Sequence, residues 1–246
     1  MAFERRFVLD LPFGICVGVA LPEDGAFELP EVLHPVEAAF ARARPEAQRA
    51  GWVGGRVALR GALAAVGVEA PAPLLSTPRG APLLPPGAVG SVSHKRTLAV
   101  ALCARQANPR ATIGIDVEDL RSLRTDIASR VLTPDELAVI PPGGLERDAA
   151  VLLRFSAKEA IYKALDPWVQ RFVGFDEAIV ERAENGALSA RLALVRGEGP
   201  FSVELHDASV AGEAALILVA ARVRAAGTNI ARGHSSTRGQ SSDEAP

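Results

Sequence analysis

At 246 residues, with 48% hydrophobic and 23% charged residues, the chain has the composition of a folded globular protein, one large domain or two modest ones, and not of a disordered one. A net charge of −2 gives no bulk attraction to nucleic acid, and no run approaches 18 uninterrupted apolar residues, so neither a nucleic-acid partner nor a membrane span is expected. Two cysteines, Cys16 and Cys103, are too few for a disulfide framework or a zinc site, and the start MAFERRFVLDLPFG lacks a signal-peptide core. Free thiols in a cytoplasmic protein are the expectation.

In chain order, residues 7–11 and 14–21 are rich in Val, Ile, Leu and Phe and read as two short strands or one bent strand. Residues 36–44 suit a short helix ending before Pro45. The segment 46–66 suits a longer one, with Trp52, Val53, Val57, Leu59, Leu63 and Val66 near helical spacing and Gly67 at the stop. Its glycines weaken its propensity, so packing must hold it. Residues 71–90 are Pro/Gly-rich and irregular. The string SVSHKRTLAVALCA at 91–104 reads as a hairpin, and 112–117 as a strand. Thr133-Pro-Asp-Glu136 is a helix start, with a Thr cap, Pro at the first position and Glu three residues on. After the stop at 141–144, residues 146–165 form a helix or a pair of helices. Strands are expected at 172–181, 188–195, 201–206 and 215–224, and a polar, disordered tail beyond 225. Each half holds a basic, alanine-rich helix followed by irregular chain and an apolar strand, a weak echo that suggests two similar α+β subdomains meeting near residue 112.

Three strings carry chemistry. Gly114-Ile-Asp116-Val-Glu118 follows strand-like sequence, and residues two apart on an extended chain share a face, so both carboxylates can converge on one ion. Hard oxygen ligands suit magnesium; the plainer reading is an acidic strand end on a solvent face. In FSAKEAIYK, residues 155–163, Glu159 and Lys163 lie one turn apart on a helix. They could be a metal-binding carboxylate beside a phosphate-binding ammonium. Equally, Ser156-Ala-Lys-Glu159 fits a capping box, with Lys163 as an exposed partner. In SVSH, Ser93 and His94 follow Arg79 across the Pro-rich loop, and the three could hold a dianionic phosphate. Alternatively His94 is a structural histidine, with Lys95 and Arg96 in a solvated turn.

Taken in order, these strings resemble the 4'-phosphopantetheinyl transferases, of the larger two-subdomain type that activates surfactin and enterobactin synthetases. That family carries an upstream S-H, a G-[IV]-D-[IV]-E string and a [WF]-x-x-K-E-x-x-x-K string. This chain has SVSH at 91–94, GIDVE at 114–118 and FSAKEAIYK at 155–163. The similarity spans roughly residues 45–225.

The resemblance implies an α+β fold of two pseudo-twofold-related subdomains, each a small, mainly antiparallel sheet packed with a long helix. Residues 1–112 would be the coenzyme A 3'-phosphate side, 113–225 the metal and catalytic side, and 226–246 the disordered tail. It implies Mg2+ (or Mn2+) held by Asp116, Glu118 and Glu159, with Glu159 also the base for the carrier serine. Lys163 would neutralise and help protonate the leaving phosphate, and Lys158 would contact phosphate nearby. Ser93, His94 and Arg79 would bind the 3'-phosphate of coenzyme A, while Arg49 and Arg56 match basic positions of the first helix region. The implied substrates are coenzyme A and apo acyl or peptidyl carrier proteins of polyketide, nonribosomal peptide or fatty acid synthases, served by a cytoplasmic monomer. Arg121, Arg124 and Arg130 are candidate docking charges for an acidic carrier, or a solvated helix face. Two other readings are a non-catalytic coenzyme A or carrier-binding module on the same fold, and a magnesium-dependent phosphohydrolase.

Overall fold

The computed structural model describes residues 3–23, 27–120, 123, 126–211 and 215–226. Arg121 and Arg124 lie outside the described residues, and so does the expected tail from residue 227 on.

The architecture is four layers, helix–sheet–sheet–helix. Strands β1 (Arg5–Leu11), β2 (Gly14–Ala20), β3 (Ala88–His94) and β4 (Leu98–Arg105) form an antiparallel sheet in the order β1-β2-β4-β3. Strands β5 (Ala111–Asp119), β8 (Phe201–Ala208) and β9 (Leu216–Ala225) form a second antiparallel sheet in the order β5-β9-β8, and β6 (Ala178–Arg182) pairs with β7 (Leu188–Leu192). The period-two rule decides which residues enter which layer. On β4, Leu98, Val100 and Leu102 face the second sheet, where they meet Ile113, Ile115 and Val117 of β5 and Leu218 and Ala220 of β9. The alternate residues Ala99, Ala101 and Cys103 face the helix α2 (Glu46–Ala65), packing with Leu59 and Leu63. On β9, Val219, Ala221 and Val223 turn to the helix α5 (Gly144–Val169). Every residue of β4 from Leu98 to Cys103 is therefore buried, which is why that segment reads as an unbroken apolar run.

The short helix α1 (Pro35–Ala43) precedes α2, and α3 (Ala128–Val131) and α4 (Pro134–Ala138) precede α5. The capping box expected at Thr133 is present: the Thr133 hydroxyl accepts from Glu136 N at 3.3 Å, and Glu136 accepts from Thr133 N at 2.7 Å. The second expected box, Ser156 to Glu159, is not. Residues 144–169 are one continuous helix, Ser156 is buried in its middle, and no free amides exist there to cap. The expected strand at 172–181 begins late, because a 3-10 turn at Phe175–Glu177 precedes β6. Cys16 and Cys103 are free thiols on adjacent strands, but they face opposite layers and cannot pair; burial pushes both up to about 12. Among the described residues no helix is long and apolar enough to cross a membrane.

Candidate active site

The site lies at the seam where the edge strand β3 of the first sheet meets the edge strand β5 of the second. Two β3 hydroxyls join them: Ser91 Oγ accepts from Ile115 N at 3.2 Å, and Ser93 Oγ donates to Asp116 Oδ1 at 2.8 Å. Because Ile113, Ile115 and Val117 fill the inter-sheet core, the other face of β5 carries Thr112, Gly114, Asp116 and Glu118 toward α5. Contacts along α5 fix that orientation. Thr112 Oγ1 donates to Ala164 O at 2.6 Å, and Lys163 Nζ donates to Ile115 O at 3.0 Å and Asp116 Oδ1 at 2.7 Å. Asp116 and Lys163 are thus brought together, as an ion pair between sheet and helix.

Asp116 is 4% exposed, and its second oxygen, Oδ2, is buried with no hydrogen-bond partner among the described residues. A buried carboxylate oxygen without a partner is costly and unusual. Glu118 is 6% exposed and pairs with Lys95 of the β3–β4 turn at 2.5 Å. Burial raises the Glu118 carboxyl above its ordinary range, Lys95 opposes that, and Asp116 adds to it. Burial likewise raises Glu159, offset by Lys163 and reinforced by Asp116. Lys163 and Lys95 thus occupy the charge that three neighbouring carboxylates would otherwise leave unbalanced. Among the described residues no three His, Cys, Asp or Glu side chains form a metal-binding group, so Asp116, Glu118 and Glu159 are not drawn together as a triad.

The expected phosphate cluster of Arg79, Ser93 and His94 is not assembled either. Ser93 is turned to Asp116. Arg79 pairs with Asp166 at 2.5 Å and donates to the Tyr162 hydroxyl at 2.9 Å, both on α5. His94 instead lies over Gly51 of α2, where a Cβ would stand 2.6 Å from its Nδ1, so only glycine leaves room for the ring. Desolvation lowers its pKa, and the cations Lys163, Lys95 and Arg44 lower it further. His94 lines a cleft of about 600 Å³ with Arg44, Arg56, Ser76 and Thr77. Arg56 is 3% exposed and stacks over Trp52 at 4.9 Å. Its Nη2 donates to Ser76 Oγ at 2.6 Å, while Nε and Nη1 are buried without partners among the described residues, as are Arg44 Nε and Thr77 Oγ1. Burial lowers Arg56 to about 10. A cleft floored by two guanidiniums with unfilled donors is suited to an anion.

Two expected phosphate ligands are engaged in holding the fold. Lys158 is 2% exposed; its ammonium donates to Glu136 Oε2 at 2.6 Å, Val131 O at 2.8 Å and Phe175 O at 2.9 Å. An ammonium has three hydrogens, and all three are used, because Lys158 projects from α5 away from β5. Arg49 donates to the carbonyls of Ala41, Arg42 and Arg44, satisfying the end of α1. Arg44, Ser76 and Thr77 carry no sequence signal, and Lys95, read as part of a solvated turn, pairs with Glu118 instead. Ser76 and Thr77 reach the cleft through irregular chain with no periodicity to read.

Comparison with known proteins identifies the family. Residues 112–219 match the family model of the 4'-phosphopantetheinyl transferase superfamily, and residues 36–104 match that of the 4'-phosphopantetheinyl transferase N-terminal domain. The chain is 36% identical over 183 residues to the 4'-phosphopantetheinyl transferase Npt of Nocardia iowensis, covering 72% of this chain and 78% of that protein. It is 34% identical to the 4'-phosphopantetheinyl transferase PptT of Mycobacterium tuberculosis over 63% of this chain and 65% of that one. It is 36% identical to enterobactin synthase component D of Salmonella typhi over 53% of each. Among solved structures, the holo-(acyl-carrier-protein) synthase of Bacillus anthracis is similar at a TM-score of 0.38 and 22% identity, over 46% of this chain and 96% of that one. The two family models and the Nocardia relative together show that this chain belongs to the 4'-phosphopantetheinyl transferase superfamily.

Proposed function

We propose that this chain transfers the 4'-phosphopantetheine group of coenzyme A to a serine hydroxyl of apo acyl or peptidyl carrier proteins, with adenosine 3',5'-bisphosphate as the second product. The observation that carries the reading is Asp116, held by Ser93 and Lys163 at the sheet seam with a buried oxygen still unfilled. The unpartnered Asp116 Oδ2 is a hard oxygen of the kind that suits Mg2+ or Mn2+, and Glu118 and Glu159 are the neighbouring carboxylates that would join it by turning toward the ion. When bound, the cation would neutralise pyrophosphate charge and favour in-line displacement.

The chain's own residues supply the rest. Glu159, one helical turn before Lys163 on α5, takes the serine proton as the serine oxygen bonds to phosphorus. Lys163 stands at the carboxylates as the cation for the phosphate that departs when the old P–O bond breaks. Arg56, Arg44, Thr77 and His94 offer the donors for the 3'-phosphate of coenzyme A, and Arg56 is positioned by Ser76 and Trp52. Lys158 has no part in the chemistry, since all three of its ammonium hydrogens are engaged elsewhere, while Arg49 is turned to the α1 carbonyls and Arg79 to Asp166 and Tyr162. Ser93 comes from the first sheet and Asp116 and Lys163 from the second half, so one chain supplies the whole site and can act as a monomer. A cytoplasmic location accords with the two free, buried thiols.

The test is to mix the protein with coenzyme A, Mg2+ and several unrelated apo carrier proteins and weigh the carriers. A gain of one phosphopantetheinyl group on at least one supports the reading; no gain on any contradicts it.

A further inference from the structure

Of the 27 basic residues of the chain only three are lysines, Lys95, Lys158 and Lys163, and each is in an ion pair. The three ammonium groups are held with unequal firmness. Lys158 donates to Glu136 and to two carbonyls, and Lys163 donates to Asp116 and to Ile115 O. Lys95 is different. Its side chain is 33% exposed, and the one acceptor its ammonium meets among the described residues is Glu118 Oε1 at 2.5 Å.

Only side-chain torsions need to change for that ammonium to leave. The Lys95 backbone closes the β3–β4 turn, with Lys95 N donating to Leu98 O at 2.8 Å just beyond the last ladder pair, His94 with Ala99. The four-carbon stem therefore swings from a fixed root, and water can replace a single contact. An arginine would be harder to dislodge, because its planar fork can hold a carboxylate by two bonds. Glu118, by contrast, is confined: its side chain is 8% exposed, and its strand is fixed on the β5–β9 ladder. The Phe155 ring centroid lies 6.0 Å from Lys95 Nζ, so one side of the pair is bounded by an apolar ring. A carboxylate oxygen engaged by an ammonium has less to offer a metal, and a divalent ion and an ammonium on one carboxylate repel each other.

We propose that Lys95 is a built-in counter-ion that holds Glu118 in the metal-free protein and is displaced when the divalent cation binds, so that it sets how tightly the metal is held. The inference rests on the reading of Asp116, Glu118 and Glu159 as the metal carboxylates. Without Lys95, Glu118 would stand as a buried carboxylate with no counter-ion, and a metal would gain by relieving it. With Lys95, the metal must first compete for the same oxygen. Lys163 has a second acceptor in Ile115 O and keeps its place.

The full chain, stripped with a chelator, is titrated with manganese chloride by calorimetry at mildly alkaline pH, without coenzyme A or carrier protein. Lys95→Met should bind Mn2+ about tenfold or more tightly than the parent. Lys95→Arg, which keeps a cation on Glu118, should bind no more tightly than the parent. Arg96→Met removes an exposed cation from the same turn and should change the Kd by about twofold at most. In parallel, the unmodified protein is treated with an acetylating ester, with and without saturating Mn2+, and its lysines are read by peptide mass. Acetylation of Lys95 should rise with Mn2+, while buried Lys158 stays unmodified in both samples. A Kd unchanged or weakened in folded Lys95→Met, an equal gain in Arg96→Met, or Lys95 acetylation indifferent to Mn2+ would overturn the proposal. So would the absence of Mn2+ binding in parent and Lys95→Met alike. The acetylation readout needs no variant, so it decides even where Lys95→Met does not fold. Transfer to a carrier is not read, so failure here is separate from failure of the transferase assignment.

Discussion

Gly114 and Ala160 are in backbone contact: a Cβ built on Gly114 would lie 1.9 Å from the carbonyl oxygen of Ala160. That approach lets α5 settle onto β5 closely enough for Lys163 to reach Asp116, two residues further along the same face. Gly114→Ala should therefore lift the helix from the strand. The expected cost is at least about 1–3 kcal/mol of stability, together with loss of activity beyond the unfolded fraction. Urea unfolding and a transfer assay on the folded protein check this; a variant as stable and active as the parent would mean that α5 need not sit so close.

Lys158 and Glu136 are 1% and 2% exposed in their side chains and 2.6 Å apart. Breaking a buried pair from one side leaves an unmatched charge, so Lys158→Met alone should cost about 3–5 kcal/mol. Lys158→Met with Glu136→Gln, which removes both charges and keeps an amide oxygen to accept from a backbone N–H, should recover part of it. The Kd for coenzyme A of the folded variant should be unchanged; a Kd raised tenfold in a stable double variant would return Lys158 to phosphate binding.

His94 and Arg56 line one cleft, and Arg56 keeps Nε and Nη1 without partners among the described residues. His94→Ala and Arg56→Gln should each weaken coenzyme A by about tenfold or more, with little effect on its 3'-dephospho form. Calorimetry with the two ligands separates the cases. Equal losses on both would remove the 3'-phosphate from this cleft.

Burial raises Glu118 and Glu159 above the ordinary 4.5. For a carboxyl raised on folding, the stabilising contribution is whole below the unfolded value and is lost as pH climbs through the folded one. In chelated protein, Glu159→Gln should therefore gain stability relative to the parent as pH rises from about 4 to 7. Urea midpoints for both across that range measure it, and parallel curves would contradict it.

How far the sequence revealed this molecule depended on whether the signal was local. The apolar runs of β4 and β9 and the capping box at Thr133 are properties of a few neighbouring residues, and the corresponding elements are where they were expected. The pairing of Asp116 with Lys163 follows from strand period, helix period and a glycine on the shared face. Lys158 shows the limit. It is adjacent to Glu159, but a helix turns 100° per residue, so the neighbour points elsewhere, and only α4 and the 3-10 turn reveal what it meets. Ser156 looked like a cap because no local feature announces that residues 144–169 continue through it. Arg44, Arg56, Ser76 and Thr77 come together across an aperiodic loop, and their meeting was beyond pattern reading.

The central claim is that Glu159, beside the Asp116–Lys163 pair, takes the proton of a carrier serine. Its most direct measurement is the intact mass of an apo carrier protein after incubation with coenzyme A, Mg2+ and either the parent chain or a folded Glu159→Gln variant. The account predicts a full gain of one phosphopantetheinyl group with the parent, and a rate lower by about 10²–10⁴-fold with the variant. Equal rates for the two, with the variant shown to be folded, would contradict it.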